Sequence, residues 1–165
     1  MFKIDKIDLE IVNLLMDDGR MAAAEIARHI GNISERVIRY RIDRLVTEGI
    51  ISIGAIPKPR ALGYSVVADV FIEVEPGQIR DVATCLKDFA CVSYVACAIG
   101  ETDVSVQVLA HDTDEVYRFV TEVIGKTAGV RKTTTSIVPL VIKDVYQWRI
   151  PVSVCADGNE SKTGL

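Results

Sequence analysis

The chain has 165 residues, 49% of them apolar and 25% charged, with a formal net charge of −4. That is enough apolar material for one ordinary domain or two small ones with cores of their own, and the acidic balance excludes a protein that coats nucleic acid non-specifically over its whole surface. No apolar run approaches the length of a bilayer span, and the opening MFKIDKIDLE carries acids where a secretory signal needs an apolar segment, so the expected place is the cytoplasm, off the membrane.

Cys85, Cys91, Cys97 and Cys155 form no C-x-x-C pair, and three of them lie in apolar segments where cysteine acts as a small buried hydrophobe. Neither a disulfide framework nor, with only His29 and His111 as imidazoles, a metal site is expected. The charge is unevenly divided. Residues 1–60 carry ten Lys+Arg against nine Asp+Glu, and the remainder nine against fourteen, so the balances are +1 and −5. Seven of the ten N-terminal cations are arginines, four of them in one segment (Arg36, Arg39, Arg41, Arg44), which lets a local basic patch survive the overall sign.

Ile4, Ile7, Ile11, Val12 and Leu15 recur at helical spacing and predict an amphipathic helix over residues 5–17, with Asp5 and Asp8 at its favourable N-terminal end. Ala23, Ile26, Ala27 and Ile30 form a second stripe that stops at Gly31. Ser34 is a good N-cap for a third helix, in which Ile38, Ile42 and Leu45 share one face while Arg36, Arg39, Tyr40, Asp43 and Thr47 fall largely on the other. Two short helices joined by a turn of three or four residues, the second bearing arginines in its first turns, are the pattern of a helix-turn-helix that presents a recognition helix to the major groove. An ordinary helical hairpin with a solvated face fits the same local pattern. Residues 50–56 then predict a short extended segment, cut off by Pro57 and Pro59.

From Tyr64 the period changes from 3.6 to 2. Val66, Ala68, Val70, Ile72 and Val74 alternate with Ser65, Val67, Asp69, Phe71 and Glu73, a strand that Pro76-Gly77 ends. A helical stripe (Ile79, Val82, Ala83, Leu86, Phe89), a strand near 92–99, the turn Gly100-Glu101-Thr102-Asp103 and a strand over 104–110 follow. Asp112 with Glu115 opens a further helix like a capping box, and its stripe of Val116, Phe119, Val120 and Val123 ends at Gly125. A fourth strand is expected over 130–142, with Pro139 tolerable only at an edge or bulge. Right-handed crossovers make this order a ferredoxin-like βαββαβ layer. Its uncovered face, with Val, Phe, Ile and Leu on both sides of the strands, points to a homodimer made sheet to sheet. VYQWRI (145–150) suggests one more strand, and the tail from Pro151 looks unpacked. The fold class is α+β, divided as 1–56 helix-turn-helix (winged or plain), 57–63 hinge, 64–150 ferredoxin-like sensing and oligomerisation domain, and 151–165 flexible tail.

The ordered string IDKIDLEIVNLLMDDGR, EIARHIG, NISERVIRYRIDRL, EGIISIGA and RALG resembles the N-terminal domain of the Lrp/AsnC (feast/famine, leucine-responsive) transcriptional regulators, and IGETDVSVQV is similar to the G-x-x-D element of that family's RAM ligand-sensing domain. The resemblance spans about residues 4–148 and implies double-stranded DNA, an amino-acid or related effector bound between subunits, and a homodimer that assembles further into tetramers or octamers. Ser34, Arg36, Arg39, Tyr40, Arg41 and Arg44 are the expected DNA-side residues. Arg36, Arg39 and Tyr40 project toward base edges, while Arg41 and Arg44, nearer the packed face, serve phosphates or internal pairs. Gly100 and Asp103 match the effector element, although Asp103 also fits as a residue that simply bonds its own turn. Thr134 and Ser136 alternate with Thr133 and Thr135; periodicity does not choose between the pairs, and Thr134 and Ser136 are taken as the effector-side hydroxyls. No catalytic constellation, cofactor or phosphate loop can be assembled from these residues. The enzymatic alternative is a siroheme-decarboxylase-like protein of the same fold, but the corresponding strands CVSYVACAI and DVSVQVLA lack the histidines that such an enzyme needs. A helix-turn-helix used only for protein contacts is a third reading.

Overall fold

The computed structural model describes residues 3–155, which divide into two compact units, residues 3–56 with 143–155 and residues 57–142. In the first unit three helices, α1 (Lys6–Asp17), α2 (Ala23–Ile30) and α3 (Glu35–Thr47), pack their apolar stripes together. Ile11, Ile26, Ile38 and Leu45 are wholly buried, one or two from each helix, so truncating any one of them to Ala is expected to cost about 2–5 kcal/mol. A full capping box starts α1: Asp5 accepts from the Asp8 N–H and Asp8 accepts from the Asp5 N–H. The corner between α2 and α3 is tight because Gly31 (φ +72°) and Asn32 (φ +54°) both adopt left-handed backbone, and Ser34 then caps α3 by accepting from the Val37 N–H.

Residues 51–56 join no strand ladder, so the first unit has no β-wing among the described residues. VYQWRI is not a strand either. Asp144 caps a single 3-10 turn, Val145–Gln147, and Arg149 then ties the segment to Asn13 and Asp17 of α1. Residues 143–155 therefore belong with the helical unit and not with the ferredoxin-like one, and the expected boundary at 150 moves to 142. Residues 151–154 are exposed, as a loose tail would be, but Cys155 is buried beside the Asp5 carbonyl where none of the tail was expected to pack; residues 156–165 lie outside the described residues.

In the second unit β1 (Val66–Val74), α4 (Ile79–Leu86), β2 (Val92–Cys97), β3 (Val104–Ala110), α5 (Thr113–Arg118) and β4 (Val130–Val138) build a four-stranded antiparallel sheet in the order β2-β3-β1-β4, the ferredoxin-like topology. Ala68, Val70, Ile72 and Val74 of β1 and Val104, Val106, Val108 and Ala110 of β3 all bury toward the helices, as strict alternation requires. Asp112 caps α5, but Glu115 turns to the His111 N–H instead of closing a box, and beyond Arg118 the helix loosens into a π-turn and then a 3-10 turn. β4 is an edge strand that stops before Pro139, the position where a missing N–H costs least. The sheet's other face is more polar than alternation suggested. Val67, Phe71, Leu109 and Val138 share it with a hydrogen-bonded row, Ser93 to Gln107 to Asp69, and with the Glu73–Lys132 ion pair. Cys85 and Cys97 are exposed, contrary to their expected burial: Cys85 falls on the outer side of α4, and Cys97 ends the edge strand β2, opposite Val104.

Candidate functional site

The four arginines of α3 separate into two pairs with different chemistry. Arg41 and Arg44 turn inward. Arg41 Nη1 donates to Asp8 Oδ1 at 2.7 Å and to Asp5 Oδ2 at 2.8 Å, and Arg44 Nη2 donates to Asp8 Oδ2 at 2.9 Å. Asp8 has no solvent-exposed surface. A carboxylate buried so completely is tolerable only with charged partners, and here both oxygens are bound by guanidinium groups from the next-but-one helix. Burial pushes the Asp5 carboxyl up, yet the Asp8 N–H and the Arg41 guanidinium outweigh it and hold the group below its ordinary value. Arg41 shifts the other way, its charge favoured by both acids in spite of desolvation. Of the two roles expected for Arg41 and Arg44, phosphate contact and internal pairing, the structure shows internal pairing: they lock α3 to α1.

Arg36, Arg39 and Tyr40 point outward from the first turns of α3, Tyr40 with 65% of its surface exposed. Arg39 pairs with Glu35 one turn back, and among the described residues Arg36 has no ion-pair partner. Ser34 is occupied as the cap of the same helix, so its hydroxyl positions α3. Along this exposed face Glu35, Arg36, Arg39 and Asp43 contribute two charges of each sign. The expected basic patch therefore shrinks to two outward arginines, because the other two are neutralised inside. Sequence reasoning missed Asp8 as the cause; the signal available was an acid on the apolar side of α1, between Ile7 and Leu9.

The expected effector residues are distributed over the second unit. Gly100, at φ +151°, makes the β2–β3 turn, and a Cβ placed on it meets nothing within 4 Å, so its backbone conformation and not crowding is what favours glycine. The Asp103 carboxylate does not bond its own turn, although the Asp103 backbone closes it. Its Oδ2 accepts from the Val74 N–H at 2.8 Å, its N–H donates to the Ile72 carbonyl at 2.9 Å and its carbonyl accepts from the Ala98 N–H at 2.8 Å. It thereby ties the ends of β1 and β2 together where the β1–β4 register shifts between Glu73 and Val74. Thr134 pairs with Phe71 and Ser136 with Asp69, which puts both hydroxyls on the face away from the helices, while Thr133 and Thr135 share the helix side with Ile72 and Val70. β1 stands between β3 and β4, so Asp103 and the two hydroxyls lie across one intervening strand, roughly 10 Å in strand spacings.

A family model described as the AsnC-type helix-turn-helix domain matches residues 4–46, and one described as the Lrp/AsnC ligand binding domain matches residues 67–147. An uncharacterized HTH-type transcriptional regulator of Pyrococcus abyssi is 38% identical over 145 residues, 87% of this chain and 91% of that protein. The HTH-type transcriptional regulator FL11 of Pyrococcus furiosus is 32% identical, over 87% of this chain and 95% of its own length. The fold is also that of a Neisseria meningitidis transcriptional regulator crystallised with L-Met, at TM-score 0.79, 23% identity and coverage of 86% and 93%. With its helix-turn-helix and its ligand-binding domain both in place, the chain belongs to the Lrp/AsnC family of HTH-type transcriptional regulators.

Proposed function

We propose that this regulator reads double-stranded DNA through Arg36, Arg39 and Tyr40, with Arg41 and Arg44 holding the reading helix in place. The observation that carries the proposal is the division of α3 into an outward face bearing two arginines and an inward face bearing two more clamped on Asp8. Base reading follows from that rigidity: an arginine on a locked helix presents its fork to a guanine edge in one orientation. Residues 57–63 act as the hinge between the reading and sensing parts. The sensing part takes an amino acid or related small molecule at the turn bearing Gly100 and Asp103, an effector class supported by the L-Met complex of the structurally similar regulator. Two copies associate through the open sheet face, with Thr134 and Ser136 in reach of the cleft between them, and dimers build on to tetramers or octamers. The protein works in the cytoplasm; among the described residues no helix is long and apolar enough to cross a membrane. A regulatory role without catalysis fits the names of the relatives better than the decarboxylase alternative does.

Selection of bound fragments from the source genome tests the DNA reading and supplies the operator. Recovery of related sites with two-fold symmetry, half-sites about one helical turn or a multiple apart, is the expected result. For the effector, sedimentation across a panel of amino acids is compared between wild type and Asp103→Asn, which keeps an acceptor for the Val74 N–H and removes only the charge. An unchanged response in the variant returns Asp103 to a purely structural role.

A further inference from the structure

The exposed face of α3 carries no net charge, since Glu35 and Asp43 offset Arg36 and Arg39. Glu35 is the first residue of the helix, where the N-terminal dipole favours a carboxylate, and its Oε1 accepts from Arg39 Nη2 one turn on. Both side chains are largely in solvent, at 67% and 48% exposure, so the pair contributes little to folding. Arg39 is thus half-engaged before any nucleic acid arrives, whereas Arg36 is not.

Near a duplex the two partners behave differently. A lone arginine on this face drops onto the nearest phosphate of any sequence, which adds affinity without discrimination. An arginine held by a neighbouring carboxylate must exchange that partner for something better placed. A phosphate offers one acceptor of the same kind and brings Glu35 against negative charge, while a guanine edge offers two acceptors, N7 and O6, in the plane of the fork.

We propose that Glu35 is a specificity-determining positioning residue: by pairing with Arg39 it withholds that arginine from non-specific phosphate contact and reserves it for a base edge. The proposal rests on the reading of α3 as the DNA-contacting helix, and it assigns discrimination to an acid that takes no part in the fold's core.

The test uses the full-length protein, its Glu35→Gln, Arg39→Ala and doubly substituted variants, a random-sequence duplex, and the best sequence selected from that random pool. Affinity for each duplex is measured over a range of salt. Glu35→Gln is expected to raise affinity for the random duplex by about fivefold near physiological salt and to steepen the dependence of log K on log salt by about 0.9, the signature of one added phosphate contact. Affinity for the selected site should change less, so the specificity ratio falls. In the Arg39→Ala background the same substitution should leave the slope unchanged. A merely structural Glu35 would shift both duplexes alike and leave the slope alone, and either that result or a Glu35→Gln effect that persists without Arg39 overturns the proposal. Wild type that binds no duplex at all would instead sink the underlying DNA reading, which keeps the two failures distinct.

Discussion

Removing the Asp8 carboxylate is expected to be the most damaging single polar substitution in the helical unit. Asp8 accepts from Arg41 at 2.7 Å, from Arg44 at 2.9 Å and from the Asp5 N–H at 3.2 Å, with a side chain only 1% exposed. In Asp8→Ala the guanidinium of Arg41 keeps Asp5 as a partner, but both arginines lose a buried acceptor. Breaking a buried pair from one side costs about 3–5 kcal/mol, and because Arg41 and Arg44 retain some solvent access the lower end, about 3 kcal/mol, is the expected value. For a unit of this size that lowers the midpoint of thermal unfolding by on the order of 12–24 °C. Urea denaturation followed through Trp148, the sole tryptophan and part of the segment packed on α1, reports on this unit locally. A double-mutant cycle with Arg44→Ala should show strong coupling, since the second substitution removes a partner already lost. A cost below about 1 kcal/mol, the scale of an exposed pair, or additive behaviour in the cycle would refute the buried-network account.

Asp5 gives the same network an acid dependence. Its carboxyl titrates below its ordinary 3.8 in the folded chain, so its contribution is complete above the unfolded value and is lost as pH falls through the lower, folded one. Wild type should accordingly lose stability more steeply than Asp5→Asn as the pH drops below 3.8, measured by acid titration of helicity. Asp103→Ala should cost about 1–2 kcal/mol in the ferredoxin-like unit and speed hydrogen exchange at Val74, whose N–H it leaves without its carboxylate; Asp103→Asn should do neither. Arg39→Ala should weaken binding to the selected operator by about 1–3 kcal/mol and relax preference at one position per half-site, read by competition among single-base variants at fixed salt.

Local periodicity made most of the fold legible. The stripes of α1 to α3, the caps at Ser34 and Asp112, and the alternation of β1 and β3 are each encoded within a few residues, and the structure places them where the spacing does. What local pattern does not encode is a partner far along the chain. Asp8 looks like a helix-dipole acid until Arg41 and Arg44, over thirty positions on, close upon it. Asp103 looks like a turn residue until the end of β1 arrives beside it. VYQWRI alternates well enough for a strand, but a strand needs an edge to join, and the segment packs on α1 instead. The exposure of Cys85 and Cys97 shows the same limit, since an apolar neighbourhood in sequence does not say which side of a helix a residue takes or whether its strand lies at the sheet's edge.

Whether α3 reads the DNA is tested most directly by selection of genomic fragments with wild type and with Arg39→Ala in parallel, at one salt concentration. Wild type should enrich a two-fold symmetric site, and the variant should lose preference at one base per half-site while still folding. Equal enrichment of the same site by both proteins would contradict this expectation, because α3 would then not be the element that reads the DNA.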